Sequence, residues 1–97
     1  MRITLSDEAK ADGRDAVEWY IDEGAFPAVN AFADELEHTL HLLRQFPEMG
    51  TPSPDDTRML PLRAFPYSLV YRIHTSVIRV IAIAHHSRRP GYWAGRR

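Results

Sequence analysis

Val29, Phe32, Leu36, Leu40 and Leu43 recur at three- and four-residue steps, the apolar stripe of an amphipathic helix. Pro27 in "FPAV" suits the first turn of that helix, where its missing N–H costs nothing, and Gln45 to Pro47 end it. An earlier helix runs from Ser6, an N-cap followed by Asp7 and Glu8, to Gly24, a natural C-terminal stop. Ala9, Ala16, Val17 and Tyr20 share one side of it. The short "EGAF" connection joins the two as a helical hairpin.

The period then changes to two. "YSLVYRI" alternates, with Tyr67, Leu69, Tyr71 and Ile73 on one face and Val70 and Arg72 on the other. "VIRVIAIAH" is apolar almost throughout, as expected of a central strand covered on both faces, and "HTS" makes a hairpin turn between the two. "RMLPLRAF" is a third strand, confined by Pro61 to an edge or a bulge, where exposed backbone offers a site for strand addition. "RITL" is a short β-prone opening, and "PEMGTPSPDDT", with its prolines, glycine and aspartates, reads as loop. The order β-α-α-β-β-β implies an α+β fold, a helical hairpin packed on one face of a small antiparallel sheet. Only the second helix has a continuous apolar stripe, so Leu36, Leu40 and Leu43 are expected to pack on Leu69, Tyr71, Ile81 and Ile83.

Composition narrows the class. A chain of 97 residues has room for one domain, 1–97. With 44% hydrophobic and 26% charged residues it reads as globular rather than disordered. There is no cysteine, which removes disulfides and thiolate metal sites. "MRITLSDEAK" has no signal-peptide core and no run approaches a membrane span, so a cytoplasmic location without membrane contact is expected.

Charge changes the picture most. All thirteen acids fall between Asp7 and Asp56, with only Arg2, Lys10, Arg14 and Arg44 among the bases, 4 − 13 = −9. From Thr57 onward there are eight arginines, no lysine and no acid, +8. Such a division points to an anionic partner for the C-terminal part, or to acidic helices that offset a basic sheet within one fold. Arginine's planar fork suits phosphate or carboxylate.

The candidate chemistry gathers in "HHSRRPGYWAGRR". His85 or His86 could move protons, Arg63, Arg72, Arg79, Arg88 or Arg89 could hold a phosphate, and Tyr92 could stack on a base or donate a proton. Adjacent positions on a strand face opposite ways, so His85 and His86 are not expected to serve one site. Arg72 is either a ligand residue or a structural arginine paired with a helix carboxylate. Arg88, Arg89, Arg96 and Arg97 follow the last strand, in a basic tail at about 88–97 expected to be solvated and free. Tyr92 and Trp93 beside them would make interface anchors, unless Trp93 folds back onto the sheet. His38 and His41 lie among acids on a solvated helix face, so no metal site is expected, and no cofactor-binding motif is present.

The stretch "FPYSLVYRIHTSVIRVIAIAHHSRRPGYW" resembles the RelE/ParE superfamily of bacterial type II toxins, and the similarity extends over essentially the whole chain. The resemblance implies a growth-inhibiting toxin neutralised by a cognate antitoxin. "AHHSRRPGYW" is more similar to the His-x-x-Arg-x-Pro ending of ParE-like members, which poison DNA gyrase, than to RelE-like members, which cleave mRNA on the ribosome. RelE relies on lysines near its phosphate site, and this basic half has none. On the ParE-like reading no residue is catalytic. Arg88, Arg89, Tyr92, Trp93, Arg96 and Arg97 would then bind the target, and Arg58, Arg63, Arg72 and Arg79 an acidic antitoxin. Removing everything from Arg88 onward should abolish toxicity and leave the fold intact. On the alternative, metal-independent endoribonuclease reading, His85, Arg63, Arg72 and Tyr92 would carry the chemistry. A non-toxic binding module on the same scaffold is the third reading.

Overall fold

The computed structural model describes residues 1–97, with seven elements: β1 (Arg2–Leu5), α1 (Asp7–Asp22), α2 (Phe26–Gln45), β2 (Thr51–Ser53), β3 (Thr57–Pro61), β4 (Tyr67–His74) and β5 (Val77–His85). The expected order holds, with one strand added. β2, inside the proline-rich stretch read as loop, pairs antiparallel with β3 through Thr51–Met59 and Ser53–Thr57. Asp55 and Asp56 take positive φ in the connecting turn, a backbone that aspartate tolerates better than most residues. The sheet order is β1-β5-β4-β3-β2, and the sheet is mixed, because β1 runs parallel to β5 while the other pairs are antiparallel.

Ser6 caps α1 by accepting a hydrogen bond from the Ala9 N–H at 3.0 Å, and Pro27 stands in the first turn of α2. The packing of the two helices meets the expectation in part. α1, the less apolar helix, lies along β5, and small Ala9 and Ala16 allow the close approach. α2 packs on α1 and on the same core, burying Phe32 and Leu43 with Leu69, Tyr71 and Ile83, while Leu36 and Leu40 are half-buried against that cluster.

A bulge in β5 explains the second difference. Tyr71 pairs with Val80 but Val70 pairs with Ala82, so Ile81 is an extra residue. The helix-facing core therefore receives Ile78, Val80 and Ile83 from β5, and Ile81 joins Val70, Ala82 and Ala84 in a second cluster on the outer face. Trp93 covers that cluster, only 4% exposed. One close approach fixes a glycine: a Cβ on Gly50 would lie 2.6 Å from the Tyr71 hydroxyl. That hydroxyl accepts from the Gly50 N–H (2.9 Å) and donates to the Pro47 carbonyl (2.7 Å).

Candidate functional site

β1 is too short to cover all of β5. It pairs with Val77 to Val80, and the chain then turns into α1, which leaves the second half of β5 with an open edge. Asp12 and Arg96 close it. Asp12 Oδ2 accepts from the Ile83 N–H at 3.0 Å and from Arg96 Nη1 at 2.8 Å, and the same Nη1 donates to the Ile81 carbonyl at 3.0 Å. Both side chains are largely buried. Asp12 stands among the Ala9, Ala16 and Tyr20 positions of α1, a carboxylate on the sheet-facing side of a helix. That misfit in the apolar pattern was the signal in the sequence that it had a structural partner.

The C-terminal segment crosses the outer face under a second group of bonds. Arg72 donates to Asp55 Oδ2 (2.5 Å), to the Asp55 carbonyl (3.1 Å) and to the Arg96 carbonyl (2.6 Å). The Gly95 N–H reaches Asp55 Oδ2 at 3.2 Å. Arg72 is thus a buried structural arginine, paired with a turn aspartate rather than a helix carboxylate. The tail is accordingly not loose: Trp93 is core, Arg96 is latched, and the expectation that truncation at Arg88 would spare the fold is corrected, because it would strip the outer cluster.

Arg88 and Arg89 are exposed at the turn after β5. The Arg88 guanidinium lies 4.1 Å from the centroid of the Tyr92 ring and that of Arg96 lies 5.2 Å away, so two cations face one aromatic. Burial raises the Tyr92 pKa above its ordinary value and Asp12 adds to this, while Arg96 and Arg88 oppose it. A small cleft of about 170 Å³ separates this ring from Trp19 and Asp15 of α1.

The two histidines do face opposite ways. His85 packs edge-on against Tyr67, with centroids 4.9 Å apart, and its Nδ1 accepts from the Ser87 N–H at 3.0 Å. A backbone N–H can only donate, so the neutral ring carries its proton on Nε2. His86 Nε2 lies 2.9 Å from Ser68 Oγ, beside an apolar groove of about 700 Å³ that Met59, Ala84 and Trp93 help to line.

The remaining arginines do not gather around these histidines. Arg58 donates to the carbonyls of Glu48 and Gly50 and braces the loop before β2. Arg63 is exposed in the turn between β3 and β4, where only its backbone N–H is engaged, by Glu35. Arg79 stands opposite Arg72 on the outer face, and Arg97 is exposed. Of the four nuclease candidates, His85 and Tyr92 line one cleft together with Arg88, while Arg63 and Arg72 lie elsewhere. His38 and His41 are exposed on α2, and no cluster of three or more metal-binding side chains is present. No helix is long and apolar enough to cross a membrane.

The family model described as "ParE toxin of type II toxin-antitoxin system, parDE" matches residues 3–90. No curated protein sequence matches. Among solved structures, a chain of a chromosomal ParDE TA system from P. aeruginosa superposes with a TM-score of 0.70 at 23% identity, covering 88% of this chain and 95% of that one. That likeness shows the shared fold. The match along nearly the whole sequence shows the family: the chain belongs to the ParE toxins of type II toxin–antitoxin systems.

Proposed function

We propose that this ParE toxin acts in the cytoplasm by docking on DNA gyrase, without catalysing a reaction, and that a cognate antitoxin neutralises it. The observation that carries the target half is that a single arginine, Arg88, beside two aspartates, faces the cleft that His85 and Tyr92 share. Cleaving RNA by attack of the 2′-hydroxyl needs a base, cations around the phosphate and an acid within reach of one another. Here His85 and His86 point to different faces, Arg72 and Arg96 are committed to aspartates, and Arg63 sits in a separate turn. Exposed after β5 are Arg88, which lies over the Tyr92 ring, and its neighbour Arg89, a surface suited to binding a protein. Rigid aromatics flanked by arginine are favoured interface anchors.

For the antitoxin, side-chain docking is better supported than strand addition. β2 covers half of β3, and β2 is itself a three-residue edge carrying Pro52. Phe46, Met49 and Ile73 are exposed and line a shallow groove of about 480 Å³ with Met1, a surface that suits a partner's apolar side chains. Arg63, which has no ion pair, adds a contact for an acidic segment.

The test is direct. Purified protein should inhibit gyrase supercoiling and leave mRNA on programmed ribosomes intact. Charge reversal at Arg89, an exposed side chain, should weaken that inhibition without changing the melting temperature, and His85→Ala should not. Codon-specific cleavage of ribosome-bound mRNA, lost in His85→Ala, would overturn the reading in favour of the nuclease.

A further inference from the structure

At the His74 end of β4, away from His85 and His86, three strands bring arginines to one place. The register sets Thr4 beside Arg79 and Arg79 beside Arg72, and one row along it sets Arg2 beside Val77 and Val77 beside His74. Side chains two apart on a strand share a face, so these rows form one patch on the outer face. Arg97 closes it from the tail, and the side chains enclose an open cavity of about 350 Å³. No acidic side chain lines it.

Arg72 is neutralised by Asp55, but Arg2, Arg79 and Arg97 have no ion pair. The Arg79 guanidinium donates only to a neutral hydroxyl, Thr4 Oγ1, at 3.3 Å. Like charges directly opposite on neighbouring strands destabilise a sheet, and Arg72 and Arg79 are such a pair. A fold that places three uncompensated guanidinium groups around one small cavity has set aside donors and charge for a ligand.

We propose that Arg2, Arg79 and Arg97, with Thr4 and His74, form an oxyanion site for a phosphate group. Convergence decides between phosphate and an acidic peptide. A phosphate presents several acceptor oxygens and up to two charges at one point, matching several guanidinium forks at once. Carboxylates on one face of an extended peptide are spaced by roughly 7 Å and would spread over a longer track. The phosphate is either a free anion or a phosphodiester of nucleic acid. The inference is independent of the gyrase reading, because it concerns a different end of the sheet and needs no target protein.

The experiment follows the arginine Nε–H resonances by NMR while inorganic phosphate, a short DNA duplex and an oligoglutamate are titrated separately. Phosphate should shift Arg2, Arg79 and Arg97, and Arg79→Gln or Arg97→Gln should each weaken its binding about tenfold, the loss of a charge-assisted hydrogen bond. Arg97 is exposed, so its variant keeps the test valid if Arg79→Gln lowers the melting temperature. If the duplex shifts the same resonances, each arginine removed should reduce the salt slope of its binding by about one, and the phosphodiester is the ligand. If phosphate binds and the duplex does not, the ligand is a free anion. Shifts with oligoglutamate alone, shifts confined to Arg88 and Arg89, or phosphate binding unchanged in both variants would each overturn the proposal.

Discussion

The two faces of the sheet are held by different physics. The helix side is a continuous apolar core in which Tyr20, Phe32, Phe65 and Tyr67 meet ring to ring at 5.4 to 6.0 Å. The outer side has one large cover, Trp93, kept in place by Asp12–Arg96 and Asp55–Arg72. Each of these ion pairs joins the acid-rich part of the chain to the arginine-rich part. Part of the −9/+8 division is therefore consumed internally, fastening the tail, and the other arginines have no acidic side chain within ion-pair distance.

The comparison breaks most easily on the helix side. Phe32 is 1% exposed, and Phe32→Ala should cost about 3–5 kcal/mol in urea denaturation, the usual range for emptying a buried aromatic site. A loss below about 1 kcal/mol would mean that the rings are not the main cohesive element of this face. Leu40, only half-buried, should cost well below the roughly 2–5 kcal/mol of a fully buried leucine.

Tyr71→Phe is the next largest, at about 1–3 kcal/mol, because it leaves the buried Gly50 N–H without its acceptor. It also sharpens the contrast through pH. Burial raises the pKa of Tyr20, Tyr67 and Tyr71 on the helix side and of Tyr92 on the outer side. An unfolded tyrosine ionises near pH ~10, so above that pH the unfolded chain holds fewer protons than the folded one. Stability is then fully present below about pH 10 and falls as pH rises through the folded-state values. Denaturation across alkaline pH should show a shallower decline in Tyr71→Phe; an unchanged slope would mean that Tyr71 does not contribute to it.

The same asymmetry decided what the sequence revealed. Helical and alternating periods report burial on one face, so α1, α2, β4 and β5 were legible, as was Ser6 as a cap. Hydrophobicity does not announce the contact of α1 with β5, because small Ala9 and Ala16 rather than large apolar residues allow its close approach. β2 was hidden because Pro52 and Pro54 carry loop signals, and its pairing depends on β3 rather than on its own residues. The bulge at Ile81 has no signature in a run as uniformly apolar as "VIRVIAIAH". Local pattern places neither Arg96 nor Trp93, because their partners, Asp12 and the outer cluster, are distant in sequence. The opposed histidines, by contrast, follow from the strand period alone.

Asp12→Asn tests the latch. The amide oxygen can still accept from the Ile83 N–H, so what is lost is the charge facing Arg96, worth about 1 kcal/mol as the difference between a charged and a neutral hydrogen bond. Limited trypsin proteolysis should then cut after Arg88 sooner than in the wild type, with the helices still protected. Uniform loss of protection would show that the two faces unfold as one unit.

Trp93→Phe should have the smallest effect, and it separates apolar cover from hydrogen bonding. The indole N–H of Trp93 is buried without a partner. An unpaired buried donor costs about 1–3 kcal/mol, which Phe removes. Against that, the smaller ring gives up roughly two methylene equivalents of contact, at about 0.8 kcal/mol each. The terms nearly cancel, so the stability of Trp93→Phe should lie within about 1 kcal/mol of the wild type, measured by urea denaturation. Trp93→Ala forfeits the whole cover and should release the tail to proteolysis. If Trp93→Phe were instead as damaging as Trp93→Ala, the indole N–H would be bonded in solution, and the outer face would rest on polar contacts throughout rather than on a ring held in place by them.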